Sequence, residues 1–298
     1  MKQQYSVRAL VENLLSGQSK VQLTAQLISA MQSVDEISNL EDLETKNNHL
    51  IRLSFYSDSS FNILQSKLQL ISEQLEIDLI LKNWSERKMT PGLLIMDMDS
   101  TLVQAETIDQ IAAVAGVGEK VAEITESAMR GELDFTESLN ARVSMLEGIL
   151  IDDLDAVHDC LPLTGGAVNL LKKAQENGCH TALVSGGFTM FAGPIAEKLG
   201  FDTLSANTLG IEDNRLTGRV VGDIVDGQSK LQTLNRLRDK LGLTSQQIVA
   251  IGDGANDLPM LSAAGTGIAF HAKPKVQQQA TTILNYNDLN AVCWLLDW

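Results

Sequence analysis

The sequence predicts an α/β protein: a doubly wound, Rossmann-like parallel-sheet core with a helical insertion, preceded by a small N-terminal α/β domain. Three observations carry this. First, the short apolar runs Leu93–Met96, Thr181–Val184 and Ile248–Ile251 recur with helical stretches between them, and each ends in small or acidic residues. Strands that alternate with helices argue for a parallel sheet. Second, segment 104–160 has no such run and reads as helices. Third, Lys88-Met89-Thr90-Pro91-Gly92 joins a charge cluster to a Pro-Gly turn signal just before the first run, dividing the chain into 1–88 and 91–298.

Within 1–88, Leu50–Tyr56 reads as a strand. Phe61–Leu75 reads as a helix, with Ile63, Leu64, Leu68, Ile71 and Leu75 at helical spacing, and Ile77–Leu81 as another strand. Nothing here has catalytic spacing, and His49 reads as an ordinary surface residue. After Pro91, Leu93–Met96 is a buried strand. In 104–160 one helix begins at Asp134, where Glu137 three residues on gives a capping-box pattern. Phe135, Leu139, Val143 and Leu146 form its apolar stripe, and the segment reads as a cap over the sheet's end. Leu231–Leu241 is a further helix, and Thr266–Phe270 and Thr281–Leu284 are weaker strands. The length of 298 residues and a hydrophobic content of 44% allow two domains with a sizeable core.

The formal net charge is −15, and segment 104–160 holds 13 acids against three Lys/Arg. Such a field repels nucleic acid and anionic membranes, so neither is an expected partner. An anionic substrate would need a local cationic site and a metal. No apolar run approaches the roughly 18–20 residues that span a bilayer, and the N-terminus lacks a signal pattern. Cys160, Cys179 and Cys293 are odd in number and lack CxxC spacing, as expected of inert core thiols in a cytoplasmic protein. Homodimerisation is left open.

Three of the apolar runs end in chemistry. The first runs into Asp97-Met98-Asp99, the second into Ser185-Gly186-Gly187, and the third into Gly252-Asp253-Gly254-Ala255-Asn256-Asp257. Ligands bind beyond the carboxyl ends of parallel strands, so four carboxylates and a serine should converge there. Clustered carboxylates repel one another unless a cation sits among them, and an all-oxygen set suits Mg²⁺. His158, His180 and His271 are scattered and offer no zinc site. A carboxylate beside Mg²⁺ can attack phosphorus, and a second one two residues away can protonate the leaving oxygen and then deprotonate water.

Asp97-Met98-Asp99-Ser100-Thr101, Ser185, Lys230 and Gly252–Asp257 resemble the four motifs of the haloacid dehalogenase (HAD) superfamily. Glu106-Thr107-Ile108-Asp109, Ala128–Phe135, Arg142-Val143, Ser185–Phe188 and Gly222–Asp226 resemble its phosphoserine phosphatase branch, over about residues 91–275. The resemblance implies hydrolysis of O-phospho-L-serine, a small-molecule substrate, through an aspartyl-phosphate in serine biosynthesis. It implies Asp97 as nucleophile and metal ligand, Asp99 as general acid/base and ligand through its carbonyl, and Asp253 as the third ligand. Ser185, the Gly186 amide and Lys230 would hold the phosphoryl group, with Asn256 nearby. Glu106 would take the substrate ammonium and Arg142 its carboxylate. Met129, Phe135, Gly187 and Asp257 are secondary candidates. Where the family often has Pro-Gly, this chain has Thr164-Gly165-Gly166, which questions the local turn. Two other readings are kept: a different small-metabolite phosphatase or phosphotransferase, and an amino-acid-sensing protein with a vestigial phosphatase domain, its residues 1–88 an ACT-like module.

Overall fold

The computed structural model describes residues 2–11, 19–34, 36–43, 48–83, 90–129 and 132–298. The N-terminal part runs β1 (Gln3–Leu10), α1 (Lys20–Gln32), β2 (Ser38–Leu43), β3 (Leu50–Ser57), α2 (Phe61–Leu75) and β4 (Asp78–Asn83). Its sheet has the order β2-β3-β1-β4 and is antiparallel throughout. Side chains alternate across a strand. Tyr5, Val7 and Ala9 of β1 and Ile51, Leu53 and Phe55 of β3 therefore share one face. They pack with Leu23, Leu27 and Met31 of α1 and Leu64, Leu68 and Ile71 of α2. Elements β3, α2 and β4 follow the sequence expectation closely. Strands β1 and β2 escape it, because Gln3–Leu10 and Ser38–Leu43 are rich in polar residues on the face turned away from the helices.

The second part opens with β5 (Leu93–Met96). Then come α3 (Thr107–Val114), α4 (Gly118–Met129), α5 (Phe135–Ser144), a 3₁₀ turn at Ile151–Leu154 and α6 (Asp155–Asp159). No named strand lies in 104–160 among the described residues. The chain continues through α7 (Ala167–Glu176), β6 (His180–Phe188), α8 (Thr189–Leu199), β7 (Thr203–Glu212) and β8 (Arg215–Val221). It ends with α9 (Gly227–Leu241), β9 (Ile248–Gly252), α10 (Leu258–Ala263), β10 (Thr266–Phe270), α11 (Pro274–Gln277), β11 (Thr282–Leu284) and α12 (Asn290–Leu296).

The large sheet has the order β11-β10-β9-β5-β6-β7-β8. Every neighbouring pair is parallel except β7–β8. That hairpin is a departure from the sequence reading. Its strands mix buried and exposed residues and carry no apolar run, and they turn at Asp213-Asn214, both at positive φ, which suits a tight hairpin. The central strand β5 is covered on both faces: Leu94 and Met96 join one apolar layer, Leu93 and Ile95 the other. This is why it reads as an unbroken apolar run rather than an alternating one.

Helix α5 starts where the capping box indicates. Asp134 accepts from the Glu137 N–H, and Glu137 accepts from the Asp134 N–H. Leu139, Val143 and Leu146 are buried in the main core, with Phe135 packed against it. The two parts of the chain are joined. Leu10, Leu50 and Ile80 belong to the same apolar layer as β5, and His49 stacks on Trp294. Among the described residues, no helix is long and apolar enough to cross a membrane.

Candidate active site

Strands β9, β5 and β6 are parallel neighbours, so their carboxyl ends lie side by side. Asp97 follows β5 directly, and its N–H donates to the Ile251 carbonyl of β9 (3.0 Å). Ser185 lies within β6, and Asp253 follows β9. A 3₁₀ turn at Ala255–Asp257 then carries Asp257 back under the cluster. The three sequence motifs thus meet because three short apolar strands are adjacent.

Lys230 is fully buried on α9, and Nζ lies 2.7 Å from both Asp97 Oδ2 and Asp257 Oδ1. Asp257 Oδ2 accepts from the Gly254 N–H (3.0 Å), so both its oxygens are engaged. Asp97 Oδ1 accepts from the Met98 N–H (2.7 Å), and Asp253 Oδ1 accepts from the Thr101 hydroxyl (3.3 Å). Burial works against the Lys230 charge, but Asp257 and Asp97 outweigh it and raise its pKa. Burial, then repulsion from Asp257, holds the Asp97 carboxyl well above the usual carboxylate range, against the pull of Lys230. Burial and Asp257 push Asp253 up to about 7. The cluster therefore holds more negative charge than one lysine cancels.

Oxygens of Asp97, Asp253 and Asp257 lie within 4.8 Å of one another. An all-carboxylate set with an unbalanced charge fits a hard divalent cation.

Asp99 lies on the other side of the same turn. The buried Thr107 hydroxyl donates to its Oδ1. Burial pushes the Asp99 carboxyl up to about 7, with Thr107 pulling down and Glu106 pushing up. Its Oδ2 faces the β6 loop. A Cβ on Gly187 would come within 2.9 Å of that oxygen and 3.0 Å of Ser185 Oγ, so both side chains close directly on this backbone. The Gly187 N–H donates to Ser185 Oγ (2.8 Å).

The helical segment closes over this floor. A Cβ on Gly186 would meet Phe135 Cζ at 3.1 Å, so the phenyl ring of α5 lies over the loop. Arg142, in the last turn of α5, donates from Nε to the Ser138 carbonyl (3.3 Å). Burial lowers its pKa, and the negative charges of Asp109, Glu106 and Asp99 oppose that shift. Glu106 Oε1 accepts from the Ser100 hydroxyl (2.7 Å), with Ser100 in the left-handed region at φ 55°. Asn256 sits in the 3₁₀ turn, its backbone carbonyl against Gly227 at the head of α9. The Met129 side chain lies outside the described residues. Cys160 is exposed, which corrects its reading as a core thiol; Cys179 and Cys293 are buried.

Sequence reasoning passed over Thr107, Ser100, Thr101 and Asn207. The first three are hydroxyls close in sequence to the motif carboxylates, but only the fold shows which carboxylate each one bonds. Asn207 carried none.

The family described as haloacid dehalogenase-like hydrolase matches residues 94–262. The chain belongs to the haloacid dehalogenase-like hydrolases. A phosphoserine phosphatase of Haemophilus influenzae is 49% identical over 225 residues, covering 76% of this chain and 72% of its own length. The solved structure of a HAD family hydrolase from Salmonella enterica serovar Typhi superposes with a TM-score of 0.85 at 29% identity, covering 99% of this chain and 98% of that one. An unliganded probable phosphoserine phosphatase from Vibrio cholerae gives 0.78 at 36% identity, covering 99% and 86%. As a HAD hydrolase, the chain has its matched region over the strand ends described above, and the two solved structures share the N-terminal part as well.

Proposed function

We propose that this chain is a phosphoserine phosphatase, hydrolysing O-phospho-L-serine to L-serine and phosphate within serine biosynthesis. One observation carries the reading: Lys230 bridges Asp97 and Asp257, the Gly187 backbone brings Asp99 and Ser185 together, and the charges of Glu106 and Arg142 act on the same Asp99 carboxyl. The first group suits a phosphoryl ester, and the second suits the charged ends of an amino acid. The relatives named phosphoserine phosphatase support it.

In this reading Asp97 attacks phosphorus and Asp99 protonates the departing serine oxygen. Asp99 then takes a proton from the water that opens the aspartyl-phosphate. A carboxyl at about 7 is suited to both directions of transfer. The Ser185 hydroxyl, the Gly186 amide and Lys230 hold the phosphoryl oxygens, with Asn256 beside them. Asp257, with both oxygens engaged, braces Lys230. The side chains of Asp97 and Asp253 and the Asp99 carbonyl would hold Mg²⁺. When bound, that ion offsets charge on the phosphoryl oxygens. The Glu106 carboxylate takes the substrate ammonium, and the Arg142 guanidinium grips its carboxylate.

Asp97→Asn is expected to lower kcat on phosphoserine by about a thousandfold or more. Phosphate release with and without Mg²⁺ measures this; substantial turnover, with deamidation excluded by mass spectrometry, would sink the mechanism. Arg142→Ala is expected to lower kcat/KM on phosphoserine by roughly 10–100-fold, the worth of a charge-assisted bond, while sparing an aryl phosphate. Equal losses on both substrates would remove the carboxylate clamp and favour a broader small-metabolite phosphatase.

A further inference from the structure

Strands β6 and β7 fall out of step at one place. Ala182 pairs with Thr203, Leu183 with Leu204 and Val184 with Ser205, after which Phe188 pairs with Asn207. Three β6 residues, Ser185-Gly186-Gly187, thus oppose the single β7 residue Ala206. A regular ladder cannot pair that excess backbone, and a carbonyl partly shielded from water still gains from a donor. The Asn207 side chain supplies it. Its Nδ2 donates to the Gly186 carbonyl at 2.8 Å, and its Oδ1 accepts from the Val225 N–H at 2.8 Å. The orientation of the amide follows from its partners, since a carbonyl can only accept and a backbone N–H can only donate. Asn207 is 1% exposed.

Both ends of the Gly186–Gly187 peptide are then held. Asn207 takes its carbonyl, and Ser185 Oγ takes its N–H at 2.8 Å. A peptide is planar, so two bonds fix its tilt and constrain the Ser185 hydroxyl. The other arm of Asn207 ends on Val225, one residue before Asp226. Asp226 is the N-cap of α9 and accepts from the Ser229 N–H at 2.8 Å. The next residue of that helix is Lys230.

We propose that Asn207 is a positioning residue for phosphoryl capture. It ties the Ser185-Gly186-Gly187 loop to the turn that delivers Lys230, so the two groups that hold the phosphoryl oxygens keep one spacing. This rests on the roles given above to Ser185, Gly186 and Lys230. Asn207 acts through Gly186 and Val225.

Two variants separate its arms. Asn207→Asp keeps an acceptor for Val225 but sets an oxygen against the Gly186 carbonyl, while Asn207→Ala removes both bonds. The full chain, loaded with Mg²⁺, is titrated with inorganic phosphate by calorimetry, and turnover is measured on phosphoserine and an aryl phosphate. Both variants are expected to bind phosphate about tenfold or more weakly. Both should lose roughly 30–100-fold in kcat/KM, equally on the two substrates, because a loop displaced by a fraction of an ångström misplaces the reacting group. Mg²⁺ affinity without phosphate should stay within about twofold. Native phosphate affinity in both variants would overturn the proposal. So would a parallel loss of Mg²⁺ affinity, which marks general collapse of the site, or recovery in Asn207→Asp alone, which makes Val225 the only tie that matters. If one variant does not fold, the other still decides by the same titration. A wild-type protein that does not cleave phosphoserine would overturn the substrate reading, while the phosphate titration would still judge Asn207.

Discussion

At the residue scale, the site's chemistry is set by burial acting on carboxylates, which neighbouring charges and hydrogen bonds then adjust. Asp257 pushes up Asp97 and Asp253, Lys230 pulls Asp97 back down, and the Thr107 hydroxyl pulls down Asp99. The Thr107 contact gives a prediction with a definite sign. A hydrogen bond to the ionised carboxylate stabilises that form and lowers the pKa. Asp99 stands at about 7 with this bond in place, so Thr107→Val should raise it. The protonated acid needed to expel the serine oxygen is lost as pH rises through that pKa. The alkaline limb of kcat/KM is therefore expected to move to higher pH in Thr107→Val. A pH–rate profile checks this; a limb that stays put or moves down would separate Thr107 from proton transfer. The carboxylates themselves were legible in the sequence because each ends an apolar run, and that pattern alone puts them at strand ends. Thr107 and Asn207 were not, because a hydroxyl or an amide gains its role only from what the fold sets within bonding distance.

At the element scale, legibility follows burial. Strands covered on both faces, such as β5 and β9, read directly as apolar runs, and α2 and α5 read from their stripes. The β7–β8 hairpin did not, since its strands interleave polar and apolar residues without a continuous run. The start of α9 was also missed. It is set by Asp226 as N-cap, five residues before the apolar spacing begins at Leu231. The turn Thr164-Gly165-Gly166 has a physical account. Gly166 is the N-cap of α7 at φ 77°, and a Cβ there would fall 2.3 Å from the backbone nitrogen of Asn290 at the head of α12. Two constraints thus meet at one residue: a left-handed backbone and direct helix-to-helix contact. Gly166→Ala is expected to destabilise by about 3 kcal/mol or more, since strain and overpacking add. Denaturant melts check this; a change below about 1 kcal/mol would mean that α12 shifts freely and is not anchored there.

At the scale of the whole molecule, the N-terminal part is held to the phosphatase part by a polar clasp laid over a shared apolar layer. Asp78, 1% exposed at the start of β4, accepts from the N–H groups of Asn285 (2.6 Å), Tyr286 (3.3 Å) and Asn287 (3.1 Å), and from the Asn287 amide (2.7 Å). Asn287 in turn donates to the Leu10 carbonyl (3.0 Å). Arg8 donates to the Leu295 carbonyl and lies 3.6 Å from Asp297. Gln65 of α2 donates to the Ala280 carbonyl (3.0 Å). Burial raises the Asp78 pKa even against its four donors, so the carboxylate specifies how the parts fit more than it adds net stability. Its removal is still costly, because three backbone donors just after β11, that of Asn287 buried, would lose their acceptor. Asp78→Ala is therefore expected to destabilise by about 3 kcal/mol, the desolvation cost of unpaired donors. The form of the melt matters more than its midpoint. Leu10, Leu50 and Ile80 sit in the same core as β5, so the wild-type chain should unfold in one calorimetric transition. If the clasp couples the two parts, Asp78→Ala should broaden that transition or split it in two, with the calorimetric enthalpy exceeding the van't Hoff value. A single sharp transition merely shifted to lower temperature would mean that the apolar layer alone makes the two parts one cooperative unit.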